Sequence, residues 1–522
     1  MLAAAAVVSK LLGTLQKIPL QNIAGDEAFG IYNAVYPFYT FILLLATAGI
    51  PVAVSKFVSE SMEKRDVHLA RRLTIMACGL LTLTGLAFCL LLFFGAEILA
   101  SWIGSTEVAL SIQSVSFALI FVPVMAVLRG YFQGKQEMAP TAVSQVLEQT
   151  VRVATMIALL FVLTSKGAGS GIVAAGAVFG SVAGAAAGFA WMLRLWMKEL
   201  RNQPVSLAAS RKSEDDARQF KALLLYAMPV CFGSLMMPLL TAVDSFTLPR
   251  LLAARLERPE EALAQFGIYT RGLPLVQLVS MIFSSVAVAL VPAVSEAKLR
   301  GKILDIERRT ELSLRLTWWI ASAAMVGLII TVKPINVMFY TNDDGSAAMA
   351  ILSLTIVFSA VQIVSTSILQ GLGHAKLPAL YLAAAAAVKV IFNLLLVPRW
   401  GIEGAALSAV ITFFVAAALN MQAVFKYVQV RLNWNNYVLK PAAALGLMAC
   451  SLWLILTIAP AVMSSFALHA RLEQTMIALT AVAAGAIVYI ISGLHLGLIS
   501  AQEWKMVPKL HNKLQRLMPW LK

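Results

Sequence analysis

The sequence predicts an all-α polytopic membrane protein with about fourteen transmembrane helices. Three observations predict it: 60% of the 522 residues are hydrophobic, only 13% are charged, and the mean hydropathy is +0.82. Soluble proteins carry about 25% charged residues, so a water-soluble fold is excluded. A helix needs about 20 apolar residues to cross a hydrocarbon core of about 30 Å. The chain therefore has room for fourteen such helices but not for a large soluble domain as well.

Fourteen apolar stretches of spanning length follow one another along the chain. Their approximate ranges are 2–20, 31–55, 73–97, 106–128, 141–164, 171–193, 222–243, 267–292, 316–340, 347–370, 379–397, 404–425, 441–463 and 474–498. An even number of crossings places both ends of the chain on one side of the membrane.

The distribution of lysine and arginine indicates which side that is, because cytoplasmic loops retain these residues. With both termini in the cytoplasm, the inner loops and the tail hold 30 of the 41 basic residues, the outer loops hold 6, and 5 lie in or at the ends of spans. This asymmetry predicts a multi-pass membrane protein with cytoplasmic termini. It also explains the net charge of +15 without nucleic acid as a partner.

Two short patterns recur at nearly the same separation and predict an internal duplication. Gln133, Gly134 and Arg152 recur as Gln370, Gly371 and Lys389 at an offset of 237, and a proline follows each Gln-Gly pair (Pro140, Pro378). Val58-Ser59-Glu60 recurs as Val294-Ser295-Glu296 at an offset of 236. We expect two six-helix lobes with substrate bound between them, as in transporters with internal repeats.

The duplication and the composition predict five segments. They are an N-lobe over 1–200, a cytoplasmic linker over 201–220, a C-lobe over 221–430, two additional helices over 431–500 and a basic amphipathic cytoplasmic tail over 501–522.

Charged residues inside apolar stretches are the candidate site residues, because a charge in the bilayer core costs at least about 2.5 kcal/mol unless it meets water or a partner. The basic candidates for substrate binding are Lys10, Lys17, Arg152, Arg271 and Lys389. The acidic candidates for ion coupling are Asp244 and Glu148.

Each candidate has a structural alternative. Lys17 and Arg271 lie near span ends, where a long side chain can snorkel to the interface. Glu148 and Arg152 are four residues apart and can neutralise each other on one helix face. Asp244 can cap or pair locally.

Other chemistries have no visible motif. The four cysteines and five histidines show no CxxC, HxxxH or HExxH spacing, and no P-loop is present. The sequence therefore predicts no cofactor and no metal, and energy would come from the membrane potential or a Na⁺ or H⁺ gradient. Four glycines spaced by four are expected to form a packing groove on one helix; they are Gly176, Gly180, Gly184 and Gly188.

Three motifs resemble the multidrug/oligosaccharidyl-lipid/polysaccharide (MOP) exporter superfamily, and within it the branch of stage V sporulation protein B and the lipid II flippases of Firmicutes. They are Ser9-Lys10-Leu11-Leu12-Gly13, the segment from Ala48 to Lys56, and Arg129-Gly130-Tyr131-Phe132-Gln133-Gly134 with Pro140-Thr141-Ala142. The resemblance runs from residue 1 to about residue 430.

The resemblance implies a two-lobe carrier that moves undecaprenyl-pyrophosphate-linked saccharides outward by alternating access. Cations of helix 1 and an arginine before a proline in helix 8 would bind the phosphates, which here match Lys10 and Arg271 before Pro274. The chain departs from the pattern in having lysine at position 10 and no basic residue in the middle of helix 2. Membrane lipids and cell-envelope synthesis enzymes are the other expected partners.

Two other functions remain open from the sequence. A cation-coupled multidrug efflux carrier would favour acidic residues in its cavity, whereas here embedded bases outnumber acids. A membrane-embedded enzyme of lipid-linked sugars would need catalytic residues in a large outer loop. The longest outer loop that we expect, residues 244–266, shows no such constellation. A transporter is therefore predicted rather than an enzyme.

Overall fold

The computed structural model describes residues 2–47, 49–202, 213–256, 258–430, 434–463 and 469–497. These residues fold into helices joined by short turns, and no β-strand occurs among them. The predicted all-α class is confirmed.

Over the described ranges, twelve helical stretches are long and apolar enough to cross a membrane. Two of them, Ala5–Glu63 with 59 residues and Lys376–Tyr427 with 52 residues, are longer than one crossing requires. At 1.5 Å per residue, 50 residues extend about 75 Å, more than twice the hydrocarbon thickness. The backbone also leaves helical geometry inside both stretches, at Gly25 (φ 78°) and at Gly401 (φ 59°). Counting each of these stretches as two crossings gives about fourteen, in line with the approximate number predicted.

The chain divides into two compact units, residues 1–274 with 376–412 and residues 275–375 with 413–522. The described helices of the first unit are α1 (Leu2–Leu15), α2 (Lys17–Thr47), α3 (Ile50–Glu63), α4 (Val67–Phe94), α5 (Ala96–Ile103), α6 (Ala109–Ser116), α7 (Ala118–Gly134), α8 (Met138–Ser165), α9 (Ser170–Asn202), α10 (Ser213–Leu256), α11 (Pro259–Thr270) and the first part of α17 (Lys376–Tyr427). The described helices of the second are α12 (Leu273–Leu299), α13 (Ile303–Ile330), α14 (Val332–Tyr340), α15 (Ser346–Ser353), α16 (Thr355–Gly371), the rest of α17, α18 (Lys440–Met463) and α19 (Ala470–His495).

The internal duplication is visible in the lengths of the helices. Helices α4 and α13 both have 28 residues, α6 and α15 both have 8, and α7 and α16 both have 17. Their first residues are separated by 236 or 237 positions, the same offsets as the recurring sequence patterns. Three helices of the first copy therefore recur in the same order in the second.

The recurring residues make the same contacts in each copy. A Cβ built on Gly134 would lie 2.7 Å from the Cβ of Val58, and one built on Gly371 would lie 2.8 Å from the Cβ of Val294. Val58 and Val294 are the first residues of the recurring tripeptide. In each copy the glycine therefore leaves the space that the valine side chain occupies. This contact explains why the two sequence patterns recur together.

The turns after these glycines also match. The amides of Gln136 and Gly373 donate to the carbonyls of Gln133 and Gln370, each at 2.9 Å, and both turn residues have positive φ. This is the left-handed helix ending that satisfies otherwise unpaired carbonyls. The repeat therefore extends to backbone geometry.

One expectation is wrong. Residues 244–266, expected to be a loop, are mostly helical, since α10 continues to Leu256 and α11 begins at Pro259. The end of α10 consists mainly of Leu, Ala and Arg. All three residue types favour the helical conformation, although Arg is charged and the other two are apolar. The hydropathy pattern marks where apolar residues end, not where the helix ends.

The predicted lobe boundaries remain predictions. Most of the linker, residues 203–212, and the whole tail, residues 501–522, lie outside the described residues.

Candidate functional site

The embedded charges of the first unit form three separate clusters, which we describe in turn. The first joins Arg271, which directly follows α11, to Asp26 of α2. Arg271 Nε donates to Asp26 Oδ1 at 2.9 Å and Nη2 donates to Oδ2 at 2.5 Å, so the pair is bidentate. The Arg271 side chain is fully buried and the Asp26 side chain is 18% exposed. This carboxylate was not singled out from the sequence, because it lies in the break between the first two apolar stretches.

Close backbone packing holds α2 against α11 beside this pair. A Cβ on Gly30 would overlap the carbonyl oxygen of Leu263, and a Cβ on Gly267 would overlap that of Asp26. Glycine at both positions lets the two backbones touch. The close contact of these two backbones therefore fixes the positions of Asp26, in α2, and of Arg271, which directly follows α11.

The second cluster centres on Glu148 of α8. Its carboxylate accepts from Arg152 at 2.7 Å and from Arg129 of α7 at 2.9 Å, and Arg152 also donates to the hydroxyl of Tyr36 at 2.8 Å. Glu148 and Arg152 therefore pair within one helix turn, the alternative raised for them. Arg129 was not predicted as a member, because the sequence places it among the loop cations.

The glycine groove of α9 positions this cluster. A Cβ on Gly184 would overlap the Glu148 carbonyl oxygen, and one on Gly180 would lie 2.6 Å from that of Arg152. The packing role predicted for these glycines is thus observed, and α9 supports the backbone of both charged residues.

The third cluster is buried and joins α10 to α17. Lys389 Nζ donates to Asp244 Oδ2 at 2.7 Å, and the two side chains are 4% and 8% exposed. Asn393 and Tyr269 also donate to the Asp244 carboxylate, each at 3.3 Å. Lys389, a candidate for substrate binding, and Asp244, a candidate for ion coupling, are therefore partners in one ion pair.

The two lysines near the N-terminus lack a carboxylate partner among the described residues. Lys17 Nζ donates to Asn33 Oδ1 at 3.0 Å. Lys10 is exposed, and its ammonium makes no hydrogen bond or ion pair within the described part of the chain. Of the five basic candidates, Lys10 is thus the one whose charge is open to an incoming anion.

Several amides around these lysines have unused hydrogen-bonding capacity. Among the buried amide atoms without a partner in the described ranges are Gln16 Oε1, between α1 and α2, and Gln145 Oε1 and Gln149 Nε2 of α8. Unpaired buried polar atoms cost roughly 1–3 kcal/mol each. This region therefore favours contact with water or with a hydroxyl-rich ligand.

The described residues contain no group of three or more His, Cys, Asp or Glu side chains that could hold a metal ion. All four cysteines are free thiols.

Two family models match the chain. The model described as polysaccharide biosynthesis protein matches residues 1–298, and the MatE model matches residues 229–395. The first match covers more than half of the sequence.

Relatives from Bacillus subtilis match over most of their length. An uncharacterized membrane protein, YabM, is 34% identical over 97% of this chain and 93% of that protein. The lipid II flippase MurJ is 25% identical over 97% of this chain and 96% of that protein. Stage V sporulation protein B is 27% identical over 84% of this chain and 85% of that protein.

Solved structures share the fold. A lipid II flippase MurJ in an inward closed conformation superposes with a TM-score of 0.69 and 15% identity over 95% of this chain and 98% of that chain. An inward-facing multidrug resistance MATE family transporter of the MOP superfamily gives 0.66 and 15% identity over 80% of this chain and 96% of that chain.

Proposed function

Because the chain belongs to the polysaccharide biosynthesis protein family of the MOP exporter superfamily, we propose that it is an alternating-access flippase for a lipid-linked anionic saccharide. The substrate would be an undecaprenyl-pyrophosphate-linked unit, either a lipid II-like peptidoglycan precursor or another polysaccharide unit. It would pass from the inner to the outer leaflet of the bacterial plasma membrane, with both termini of the protein in the cytoplasm.

The observation that carries this proposal is the exposed, unpaired ammonium of Lys10 in the first membrane segment. A lone cation within an apolar helix is expensive unless it meets an anion or water. Lys17, the first residue of α2, adds a second cation seven residues further along, and its ammonium donates to an amide oxygen of Asn33 rather than to a carboxylate. A pyrophosphate, with its several charged oxygens, suits such a pair better than a cationic drug does.

Arg271 would join these lysines by exchanging partners. In the structure its guanidinium forms two parallel hydrogen bonds with Asp26, the geometry in which arginine also binds phosphate. A substrate phosphate can therefore replace the carboxylate without changing the shape of the contact. The unpaired amides of Gln16, Gln145 and Gln149 would bind sugar hydroxyls.

Energy coupling is a separate part of the proposal. The protein would use the membrane potential or a Na⁺ or H⁺ gradient, with Glu148 and Asp244 as the acidic candidates, and no cofactor. In the described part of the chain, these two acids make three carboxylate–cation contacts, with Arg129, Arg152 and Lys389, and each is within 2.9 Å. Their charges are compensated inside the protein.

Multidrug efflux is the second candidate, since the MatE model matches residues 229–395. The charges argue against it, because each embedded acid described above is already paired with a base. A drug cation would have to displace one of these partners.

The proposal is tested by reconstituting the purified protein in liposomes with fluorescent lipid II, a fluorescent undecaprenyl-pyrophosphate monosaccharide, or fluorescent phosphatidylcholine. We expect both pyrophosphate lipids to become accessible to an impermeant quencher, and the phosphatidylcholine to stay at the rate of empty liposomes. Transport of ethidium without movement of either pyrophosphate lipid would instead favour efflux. Comparing the two pyrophosphate lipids would identify the sugar preference.

A further inference from the structure

The turn between α12 and α13 exposes three large aliphatic side chains. Leu299 is 87% exposed, Ile303 67% and Leu304 70%, and the value for Leu299 is the highest of any large hydrophobic side chain among the described residues. Leu299 is the last residue of one helical stretch that is long and apolar enough to cross a membrane, and Ile303 is the first residue of the next. The three side chains therefore belong to a turn at the membrane boundary.

The equivalent turn in the first copy of the repeat has the same backbone conformation. At the offset of 236, Gly301 corresponds to Arg65, and both residues have positive φ, 66° and 59°. The amides of the residues that follow, Lys302 and Asp66, each donate to the carbonyl five residues back, at 3.0 and 2.8 Å. Because the first copy forms this turn from different residues, the turn itself does not require exposed aliphatic side chains.

Two of the three aliphatic positions are polar in the first copy. Leu299 and Leu304 correspond to Glu63 and His68, whereas the third position is aliphatic in both copies. Glu63 and His68 are also exposed, so these positions are open in both copies. Water favours the removal of apolar surface from contact with it. The second copy therefore presents an apolar surface that its own fold does not cover.

Basic residues surround this surface. Five basic and three acidic residues lie between positions 296 and 309. The exposed Arg308 follows Leu304 by one helix turn on the same face. Aliphatic side chains flanked by cations are typical of segments that lie in the membrane interface and contact anionic lipids. A stable protein interface needs about 800 Å² from each partner, or roughly 20–30 residues a side, which is more than three neighbouring side chains supply.

We propose that the α12–α13 turn binds the membrane surface, with Leu299, Ile303 and Leu304 inserted among the lipids and the neighbouring cations on anionic phospholipid headgroups. Arg300 and Lys302 form ion pairs with acids whose side chains are 60% and 44% exposed. Headgroup phosphates can replace such partners at little cost. The contact would hold the end of α12 at the leaflet that the charge distribution assigns to the cytoplasm. It does not depend on what the protein transports.

The test measures the membrane depth of a nitroxide label. Leu304→Cys and, as the matched control, His68→Cys are labelled in the full-length chain with its four native cysteines replaced by serine, and each protein is reconstituted in liposomes. Electron paramagnetic resonance gives the accessibility of the label to oxygen, which concentrates in lipid, and to a water-soluble nickel complex. With phosphatidylglycerol and phosphatidylcholine in the bilayer, we expect a higher oxygen-to-nickel ratio at position 304 than at position 68. The ratio at 304 should fall in phosphatidylcholine alone, and also when Leu299→Gln/Ile303→Gln removes the other two aliphatic side chains.

Three results would overturn the proposal. One is an equal ratio at positions 304 and 68 in the mixed liposomes. Another is a ratio at 304 that does not change when phosphatidylglycerol is left out, since the anionic headgroups would then contribute nothing to the contact. The third is a label at 304 that is open to the nickel complex in liposomes but protected in inside-out vesicles of the native membrane, which would assign the surface to a protein partner instead.

Discussion

The embedded basic residues are of two kinds, those with a carboxylate partner and those without one. Arg152, Arg271 and Lys389 each have a carboxylate within 2.9 Å, whereas the Lys10 ammonium has no described partner. A paired cation contributes to binding only if it exchanges its partner, and an unpaired one contributes at once. Lys10 and Arg271 should therefore both matter for transport, but for different reasons.

The first prediction concerns this pair of residues. Lys10→Gln and Arg271→Gln should each weaken substrate binding about ten- to a hundredfold, because a charge-assisted hydrogen bond contributes roughly 1.5 to 3 kcal/mol. Lys10→Arg should retain most activity, since it keeps the charge. The measurement is the rate of fluorescent lipid II movement in liposomes, normalised to protein abundance.

The Tm of each variant shows whether a loss of transport comes from weaker substrate binding or from a less stable fold. Lys10→Gln should leave Tm unchanged because Lys10 is exposed, whereas Arg271→Gln should lower it because Asp26 loses its partner. The double variant Arg271→Gln/Asp26→Asn restores neutrality and should recover Tm without recovering transport. Normal transport by a well-folded Lys10→Gln/Arg271→Gln protein would contradict the anionic site.

The sequence suggests Asp244 as an ion-coupling acid, but its ion pair with Lys389 predicts that replacing it will affect folding. Replacing it with Asn would leave the buried Lys389 ammonium unpaired, which typically costs 3 to 5 kcal/mol. Asp244→Asn should therefore lower the yield of folded protein, and Asp244→Asn/Lys389→Met should restore it. The measurement is monodisperse protein per cell. Equal yields for the two variants would show that the ion pair does not stabilise the fold.

Pairs of helices explain why these residues lie where they do. The contact between α2 and α11 requires glycine at positions 30 and 267, and the Asp26–Arg271 pair lies beside it. A change in the spacing of α2 and α11 therefore also changes the Asp26–Arg271 hydrogen-bond distances. The packing of these two helices thus determines the geometry of this part of the candidate site.

Gly30→Ala and Gly267→Ala should each separate α2 from α11 and break the Asp26–Arg271 hydrogen bonds. Overpacking of this kind costs typically 1 to 3 kcal/mol. The control is Gly79→Ala, because a Cβ there would meet no atom within 4 Å. Distance between spin labels on α2 and α11, measured by electron paramagnetic resonance, should increase for the first two variants only. An unchanged distance together with native Tm would show that these helices adapt without cost.

A further ionic cluster, separate from the three described for the candidate site, joins the end of α9 to α4 and α7. The Glu199 carboxylate accepts from Arg71, whose side chain is fully buried, at 3.3 Å, and from Lys135 at 2.9 Å. Burial alone would lower the pKa of Lys135, but its hydrogen bonds to Glu199 and Glu137 outweigh that effect and raise the pKa. Lys135 therefore remains an ammonium across the physiological range.

Glu199→Gln should destabilise the protein by about 1.5 to 3 kcal/mol, because the buried Arg71 guanidinium loses a charge-assisted hydrogen bond to a carboxylate that is 22% exposed. The matched control is Glu296→Gln, whose partner Arg300 is 62% exposed and whose loss should have little effect. Thermal unfolding of the two variants in the same detergent measures the difference. Similar Tm values for both would show that Arg71 finds another partner.

Across the whole molecule, an interaction could be predicted from the sequence only when its partners are close together in the chain. Spans and the repeat were predictable because apolar runs and the Gln133-Gly134 pattern are local. The Glu148–Arg152 pair was foreseen as an alternative because the two residues are four apart. The pairing of Asp26 with Arg271 and that of Asp244 with Lys389 were missed because the partners are 245 and 145 residues apart. Such pairings follow from packing, which one sequence does not display.

Orientation in the membrane is the last property that charge distribution predicts, with 30 basic residues assigned to the inner side and 6 to the outer side. The test uses a background in which the four native cysteines are replaced by serine, with single cysteines then introduced at Glu214, Arg309 or Asp343. Arg309 and Asp343 are both exposed in the structure, so burial does not limit their reaction with a thiol reagent. In intact cells a membrane-impermeant maleimide should label position 343 and leave positions 214 and 309 unmodified, whereas all three should react after permeabilisation. Labelling at 214 in intact cells would reverse the orientation, because the positive-inside rule assigns the most basic inner loop to the cytoplasm.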